Sequence, residues 1–255
     1  MYKKKKFILT KNVLILLITI GIIGNFIPFF LISWAEQYIP SSTAGMLMAI
    51  GPIITLIMSH FFTKKEKFTF IKFISIFIGF LGVLFIFNVD SLNQFTSNSF
   101  TELYSKLLVI IAAFGYMFSN ILAYEKLSNI DSFTITTFAT TFGAIFSLPF
   151  FLIDISINNY SFFNNSYSIF SLIYLGIFPT AIAFQFRYYI TKTSGPVFLS
   201  YVAYLIPVFA LIWGYVLLSE KIGLNSLTGI ILILIGVYLG QNKLMNNIPQ
   251  KNIKN

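Results

Sequence analysis

Residues 195–239 read GPVFLSYVAYLIPVFALIWGYVLLSEKIGLNSLTGIILILIGVYL, two apolar runs hinged on a short polar turn at Ser219-Glu220-Lys221. This stretch restates an earlier one. Ala44–Phe85 carries Pro52, Glu66 and Gly82-Val83 in the order in which Gly195–Leu239 carries Pro207, Glu220 and Gly236-Val237. Each glutamate stands sixteen positions before its Gly-Val pair, and the prolines precede the glutamates by fourteen and thirteen. Each proline falls inside an apolar run, and each glutamate opens a polar loop. Two copies of one unit in a hydrophobic chain point to the repeat construction of membrane carriers.

Composition agrees. The chain is 57% hydrophobic and only 10% charged, far too little polar surface for a soluble domain of 255 residues. It has no cysteine, which removes disulfides, thiol catalysis and cysteine metal sites. The net charge of +9 would suggest nucleic acid in a soluble protein. Here the lysines cluster in loops between apolar segments, the pattern of a positive-inside bias, so no nucleic-acid partner is expected.

Eight apolar stretches have spanning length, about 20 residues each. They run near 12–34, 43–62, 70–88, 106–124, 133–153, 168–190, 197–218 and 224–242. The lysine-rich head Met1–Lys11 resembles a signal-peptide n-region, but the apolar run after it is too long and no small-residue cleavage site follows. With the N-terminus inside, fifteen basic residues fall on the inner side and only Lys106 and Lys221 on the outer. That split sets both termini in the cytoplasm. The Asn- and Ser-rich loops 88–105 and 154–167 then lie outside, where Asn159 and Asn164 begin N-x-S sequons that matter only in a eukaryotic source. The loop of Glu66 faces in and that of Glu220 faces out, so the repeats are antiparallel.

The order Ala35-Glu36-Gln37-Tyr38, Ser42-Thr43-Ala44-Gly45, Pro52, Glu66 and Gly79–Val83 sets out the first copy. Ala112-Ala113-Phe114, Leu205-Ile206-Pro207-Val208, Ser219-Glu220-Lys221 and Gly229–Val237 set out the second. In this order the chain resembles the EamA-type members of the drug/metabolite transporter superfamily, from about Lys11 to Gly240. The resemblance implies a fold of ten helices in two inverted five-helix repeats. Only three helices precede the five that map onto 106–242, so the first two of the ten have no counterpart. The expected organisation is a basic head (1–11), an incomplete three-helix first repeat (12–88), an outer loop (89–105), a complete five-helix second repeat (106–242) and a cytoplasmic tail (243–255). The shortfall reads as a misassigned start, a fragment, or an eight-helix protein that completes itself by association as a homodimer or with a partner chain.

Polar groups near the midplane are the candidates for a site, since polarity there is costly and faces a cavity or partner. Asn25 lies mid-span, one turn before Pro28. Tyr116 and Asn120 share one helix face. Pro179, Thr180 and Gln185 occupy the sixth span, and Tyr204 lies deep in the seventh. Asn25, Tyr116, Asn120, Thr180, Gln185 and Tyr204 are the cavity candidates. Pro52, Pro179 and Pro207 are assigned to helix shape, because a mid-helix proline removes a backbone hydrogen bond and frees a carbonyl. The single arginine, Arg187, is expected to snorkel to lipid phosphates. Tyr201 and Tyr215 are read as interfacial, and His60 as an interfacial residue. Glu36 is read as a solvated loop carboxylate, and Glu66 and Glu220 as loop braces. Gly236 and Gly240 form a G-x-x-x-G spacing suited to a scaffold or dimer contact.

One histidine and no midplane carboxylate argue against a membrane-embedded enzyme. No charge ring or filter loop suggests a channel. No phosphate-binding G-x-x-x-x-G-K motif is present, and no cofactor or metal is called for. The reading is an all-α integral membrane protein of eight transmembrane helices in an inverted repeat. It implies a small organic metabolite carried outward by alternating access, with the lipid bilayer as its surroundings. The alternative is a non-transporting remnant or subunit. High Phe, Ile, Asn and Lys usage suggests an AT-rich bacterial genome, with the inner membrane as the location.

Overall fold

A computed structural model describes residues 10–87, 99–158, 166–218 and 223–246. Most of the basic head, most of the first outer loop, the sequon positions Asn159 and Asn164, the Glu220-Lys221 turn and the end of the tail lie outside the described residues. Among the described residues every regular element is helical. Eight spans are long and apolar enough to cross a bilayer: Lys11–Ala35, Ser41–Phe62, Phe70–Phe87, Phe100–Lys126, Ser132–Ser156, Ser166–Ser194, Pro196–Trp213 and Leu224–Gln241. All eight expected stretches are therefore spans, as the absence of water in a bilayer core requires of a chain that must satisfy its backbone internally.

Two of the three expected prolines, Pro52 and Pro179, interrupt their spans, and the third, Pro207, does not. In the second span the helix stops at Met48 and restarts at Gly51, placing Pro52 in the first turn of Gly51–Phe62. There its missing N–H is one that no carbonyl awaits. In the sixth span Pro179 sits inside a π-helical turn, Gly176–Ile182. The carbonyl of Leu175, which a residue other than proline at 179 would have bonded, accepts instead from the Thr180 hydroxyl at 2.9 Å. A neighbouring hydroxyl thus replaces the lost donor. Pro207 stays within Val202–Leu218, after a break at Tyr201 that separates off the short helix Pro196–Ser200.

The third and eighth spans pack closely along their length. A Cβ on Gly82 would stand 2.6 Å from the carbonyl oxygen of Gly229, and one on Gly229 would stand 2.6 Å from that of Gly82. Only glycine permits two backbones to approach so closely. Further along, a Cβ on Gly236 would stand 2.6 Å from the Ser75 carbonyl. The residue numbers fall along one span as they rise along the other, so the two spans run antiparallel. Gly240 packs against the Tyr201 ring, so the whole G-x-x-x-G face is used within the chain.

Tyr201 is a correction. Expected at the interface, it is 2% exposed and its hydroxyl pairs with that of Ser75 at 2.7 Å. The gap over Gly240 lets the ring turn inward, where its one polar atom finds a partner.

At the lysine-rich end, Glu66 and Lys72 form a buried ion pair, Oε2 to Nζ 2.7 Å. The carboxylate lies against Gly195, whose φ of 94° ends the sixth span. A side chain there would meet both a disfavoured backbone region and the Glu66 oxygen. Glu66 thus braces its own loop, through Thr63, and abuts the loop of the second repeat. Lys67 Nζ donates to the carbonyls of His60 and Thr63, closing the C-terminal end of the second span as a cation there should.

Candidate functional site

The first span does not run as one α-helix. After Lys11–Gly21 it widens into a π-helical turn, Ile22–Phe26, before resuming as Ile27–Ala35. Such turns carry an extra residue per turn and occur often at functional positions. The spacing of 154 that separates Glu66 from Glu220 also carries Ile22 to Gly176 and Phe26 to Thr180. The two π turns are therefore repeat equivalents.

Between them lies a cavity of about 770 Å³. The first span contributes Asn25, Phe26, Phe30 and Trp34. The fifth contributes Thr140, Gly143, Ser147 and Phe150, and the sixth contributes Thr180 and Phe184. The cavity extends to Gln37 and Asp154, at one end of the first and fifth spans. In the first span the lining residues recur at 26, 30, 34 and 37, one stripe of a helix. Phe26, Phe30 and Phe150 form a cluster with ring centroids 5.3–6.0 Å apart.

Asn25 is 4% exposed, and neither its Nδ2 nor its Oδ1 has a hydrogen-bond partner among the described residues. Gly143 faces it: a Cβ there would stand 3.0 Å from Asn25 Cβ. An unpaired buried carboxamide is costly, about 1–3 kcal/mol per group.

Below this cavity, toward the lysine-rich end, lies a second polar cluster. Arg187 points into the bundle, against the expectation that it would snorkel. Its Nε donates to Asn120 Oδ1 at 2.7 Å, and one Nη to the Tyr116 carbonyl and to Ser119 Oγ, both at 2.9 Å. The other Nη reaches the Gly24 carbonyl at 3.5 Å. That carbonyl lies four residues before Pro28, which has no N–H to offer it. The guanidinium stacks over Tyr116 and Phe184, each at 4.9 Å. Neutral acceptors and ring faces thus hold the charge in place of lipid phosphate, an arrangement suited to the planar guanidinium.

The six candidate residues therefore divide. Asn25 and Thr180 line the cavity, while Tyr116 and Asn120 hold Arg187. Gln185 is half-buried, donating to Ser132 Oγ at 3.2 Å with its Oε1 unpartnered. Tyr204 lies outside the cavity, fully buried between the third and seventh spans, its hydroxyl donating to the Ile76 carbonyl at 3.0 Å. Sequence reasoning passed over the phenylalanine stripe and Thr140, whose signal was the helical spacing of aromatic residues around Asn25. Among the described residues no group of three His, Asp or Glu side chains could hold a metal ion.

Eight apolar spans, an antiparallel glycine-packed pair and a cavity framed by two equivalent π turns define a multi-pass membrane protein of the transporter type. The sequence profile of the EamA-like transporter family matches residues 1–88 and 103–240, and the chain belongs to that family. An uncharacterized transporter of Archaeoglobus fulgidus is 29% identical over 220 residues, covering 86% of this chain and 75% of its own. The uncharacterized transporter YoaV of Bacillus subtilis is 25% identical over 209 residues, with 82% and 69% covered. One from Clostridium kluyveri is 26% identical, with 97% and 79% covered. A solved crystal structure shares the fold at a TM-score of 0.73 and 16% identity, covering 93% of this chain and 78% of its own.

Proposed function

We propose that this membrane transporter exports a small organic metabolite by alternating access, with the cavity between the two π turns as its solute site. The observation that carries the reading is the position of that cavity. It is framed by equivalent elements of two antiparallel repeats, which is where such carriers place their substrate. With the lysine-rich ends in the cytoplasm, the Gln37–Asp154 end faces outward and the Arg187 cluster closes the inner side. Rocking of one repeat against the other would then open the inner side. Any energy source is an ion or solute gradient. The organisation into an incomplete first repeat and a complete second one belongs to this proposal, as does a bacterial inner-membrane location.

The test is efflux from proteoliposomes loaded with a panel of labelled neutral, zwitterionic and charged metabolites. At least one should leave faster than from protein-free vesicles, and Gly143→Leu, which fills the cavity beside Asn25, should abolish that flux. Equal flux in the two proteins would place the pathway elsewhere.

One observation favours a second reading, in which a homodimer or a partner chain completes the cavity. The first span is wedged between the fourth and fifth, whereas the first half of its equivalent, the sixth, is nearly bare. Phe170, Ile173 and Phe178 are all at least half exposed. A flux that depends on the square of the protein-to-lipid ratio would support this reading.

A further inference from the structure

We infer that Asn25 is the recognition group of this cavity, and that its solute is an uncharged aromatic or apolar compound bearing an amide edge, one N–H donor beside one C=O acceptor. The inference rests on the reading of the cavity as the transport site and names what that site selects.

Three observations converge. First, both ends of the Asn25 carboxamide are unpaired at the margin of the cavity it lines. A carboxamide offers a donor and an acceptor side by side, and the group that satisfies both at once is another amide-like edge. Turning the side chain from its buried position into the cavity would exchange two unmade hydrogen bonds for two made ones. A site of this kind discriminates strongly against an analogue that leaves its polar atoms unpaired.

Second, three of the cavity's hydroxyls are already committed as donors. Thr140 donates to the Thr136 carbonyl at 2.8 Å, Ser147 to that of Ala144 at 2.9 Å, and Thr180 to that of Leu175 at 2.9 Å. Each hydroxyl has one proton, so it can only accept from a solute. These three positions therefore favour a further N–H on the solute over a further carbonyl.

Third, charge is kept away from the solute. Of the described residues that line the cavity, Asp154 alone is ionisable, and it lies at the mouth. The Arg187 guanidinium stands behind the Phe184 ring, bound to four neutral acceptors. A carboxylate would find no cation among the described lining residues, and an ammonium would find its one carboxylate, Asp154, only at the mouth. The phenylalanine cluster supplies ring faces for an apolar or aromatic body.

The experiment uses Trp34, which lines the cavity, as a fluorescent reporter. Trp213→Phe leaves it as the single tryptophan of the purified full chain in detergent. Benzamide, acetophenone, benzoate and benzylamine share one ring and differ in the edge and charge they present. Benzamide should bind at least tenfold tighter than the other three. Asn25→Leu should remove that preference, bringing benzamide to the level of acetophenone, and leave thermal stability undiminished, since it deletes an unpaired polar group. Gly143→Ala, whose methyl would crowd Asn25 first and the Gly21 carbonyl at 3.4 Å next, should weaken benzamide selectively and guards against a misfolded leucine variant. Tightest binding of benzoate or of benzylamine would overturn the inference. So would a benzamide preference that survives Asn25→Leu, or no binding of any probe. Benzamide bound with the stated preference yet not carried across proteoliposomes would uphold the inference and defeat the transport reading instead.

Discussion

Gly82 and Gly229 meet backbone to backbone, each with space for no side chain because the other's carbonyl occupies it. The same spacing of 154 that relates the two glutamates converts this pair into Gly236 and Ser75, which also touch. Two contacts that exchange under one repeat spacing describe a local two-fold between the third and eighth spans. The pair marks that local axis.

Gly82→Val should therefore destabilise the chain by about 1–3 kcal/mol, the cost of overpacking a close-fitted contact. Gly176→Ala is the control. Nothing lies within 4 Å of a Cβ there, so the change should be neutral or stabilising by up to about 1 kcal/mol. Thermal unfolding of the two variants in one detergent compares them directly. Equal melting temperatures would show that the glycine contact does not hold the halves together.

Arg187→Lys should behave as a damaging change. Lysine keeps the charge but cannot present the planar fork that reaches Asn120, Ser119 and the Tyr116 carbonyl together. About 1–3 kcal/mol of stability should be lost as buried acceptors go unsatisfied, and solute leak through the inner side should rise. Flux and melting temperature unchanged from the parent would show that the cluster neither closes nor stabilises the bundle.

Glu66→Gln leaves the Lys72 ammonium buried without its counter-charge, an alteration that costs about 3–5 kcal/mol in comparable pairs. Adding Lys72→Met should recover much of the loss. Recovery tells a pairing role from a general requirement for the glutamate, and a double variant no better than the single would exclude the pairing account.

Asp131 precedes the fifth span and accepts from the Thr134 backbone N–H at 2.8 Å and from its hydroxyl at 2.6 Å. Partial burial pushes its carboxyl upward, but these hydrogen bonds and the Lys192 charge outweigh it and hold the group below the ordinary carboxylate value. A lowered folded-state value contributes stability above the unfolded value, about 4. That stability is lost as pH falls through the folded value. Asp131→Asn should therefore lower the melting temperature at neutral pH and flatten the acid limb, so that variant and parent converge as the pH falls below about 4. An identical acid limb in the variant would remove Asp131 from the account.

Hydropathy made the eight spans legible, since a bilayer-spanning helix declares itself by length and apolarity alone. The repeat was legible too, because glycine, proline and glutamate at fixed spacing survive as markers of shape. What sequence could not give was direction within the bundle. Arg187 near a helix end reads as a snorkelling cation. Its partners, Tyr116, Ser119 and Asn120, lie some seventy residues earlier, and only the packing brings them under it. Tyr201 was misread for the same reason, its partner being Ser75 in another span. The π turns left no separate trace, for they are set by how Pro28 and Pro179 disturb the ladder around them.

The most direct test of the cavity as an alternating-access site uses the absence of cysteine from the chain. Thr140→Cys places one thiol beside Asn25 and Thr180, and a membrane-impermeant maleimide is applied to right-side-out and to inside-out vesicles. The account predicts labelling from both faces in vesicles that remain sealed to the reagent, with transported solute protecting the thiol. Labelling from one face alone under every condition, with or without solute, would contradict it.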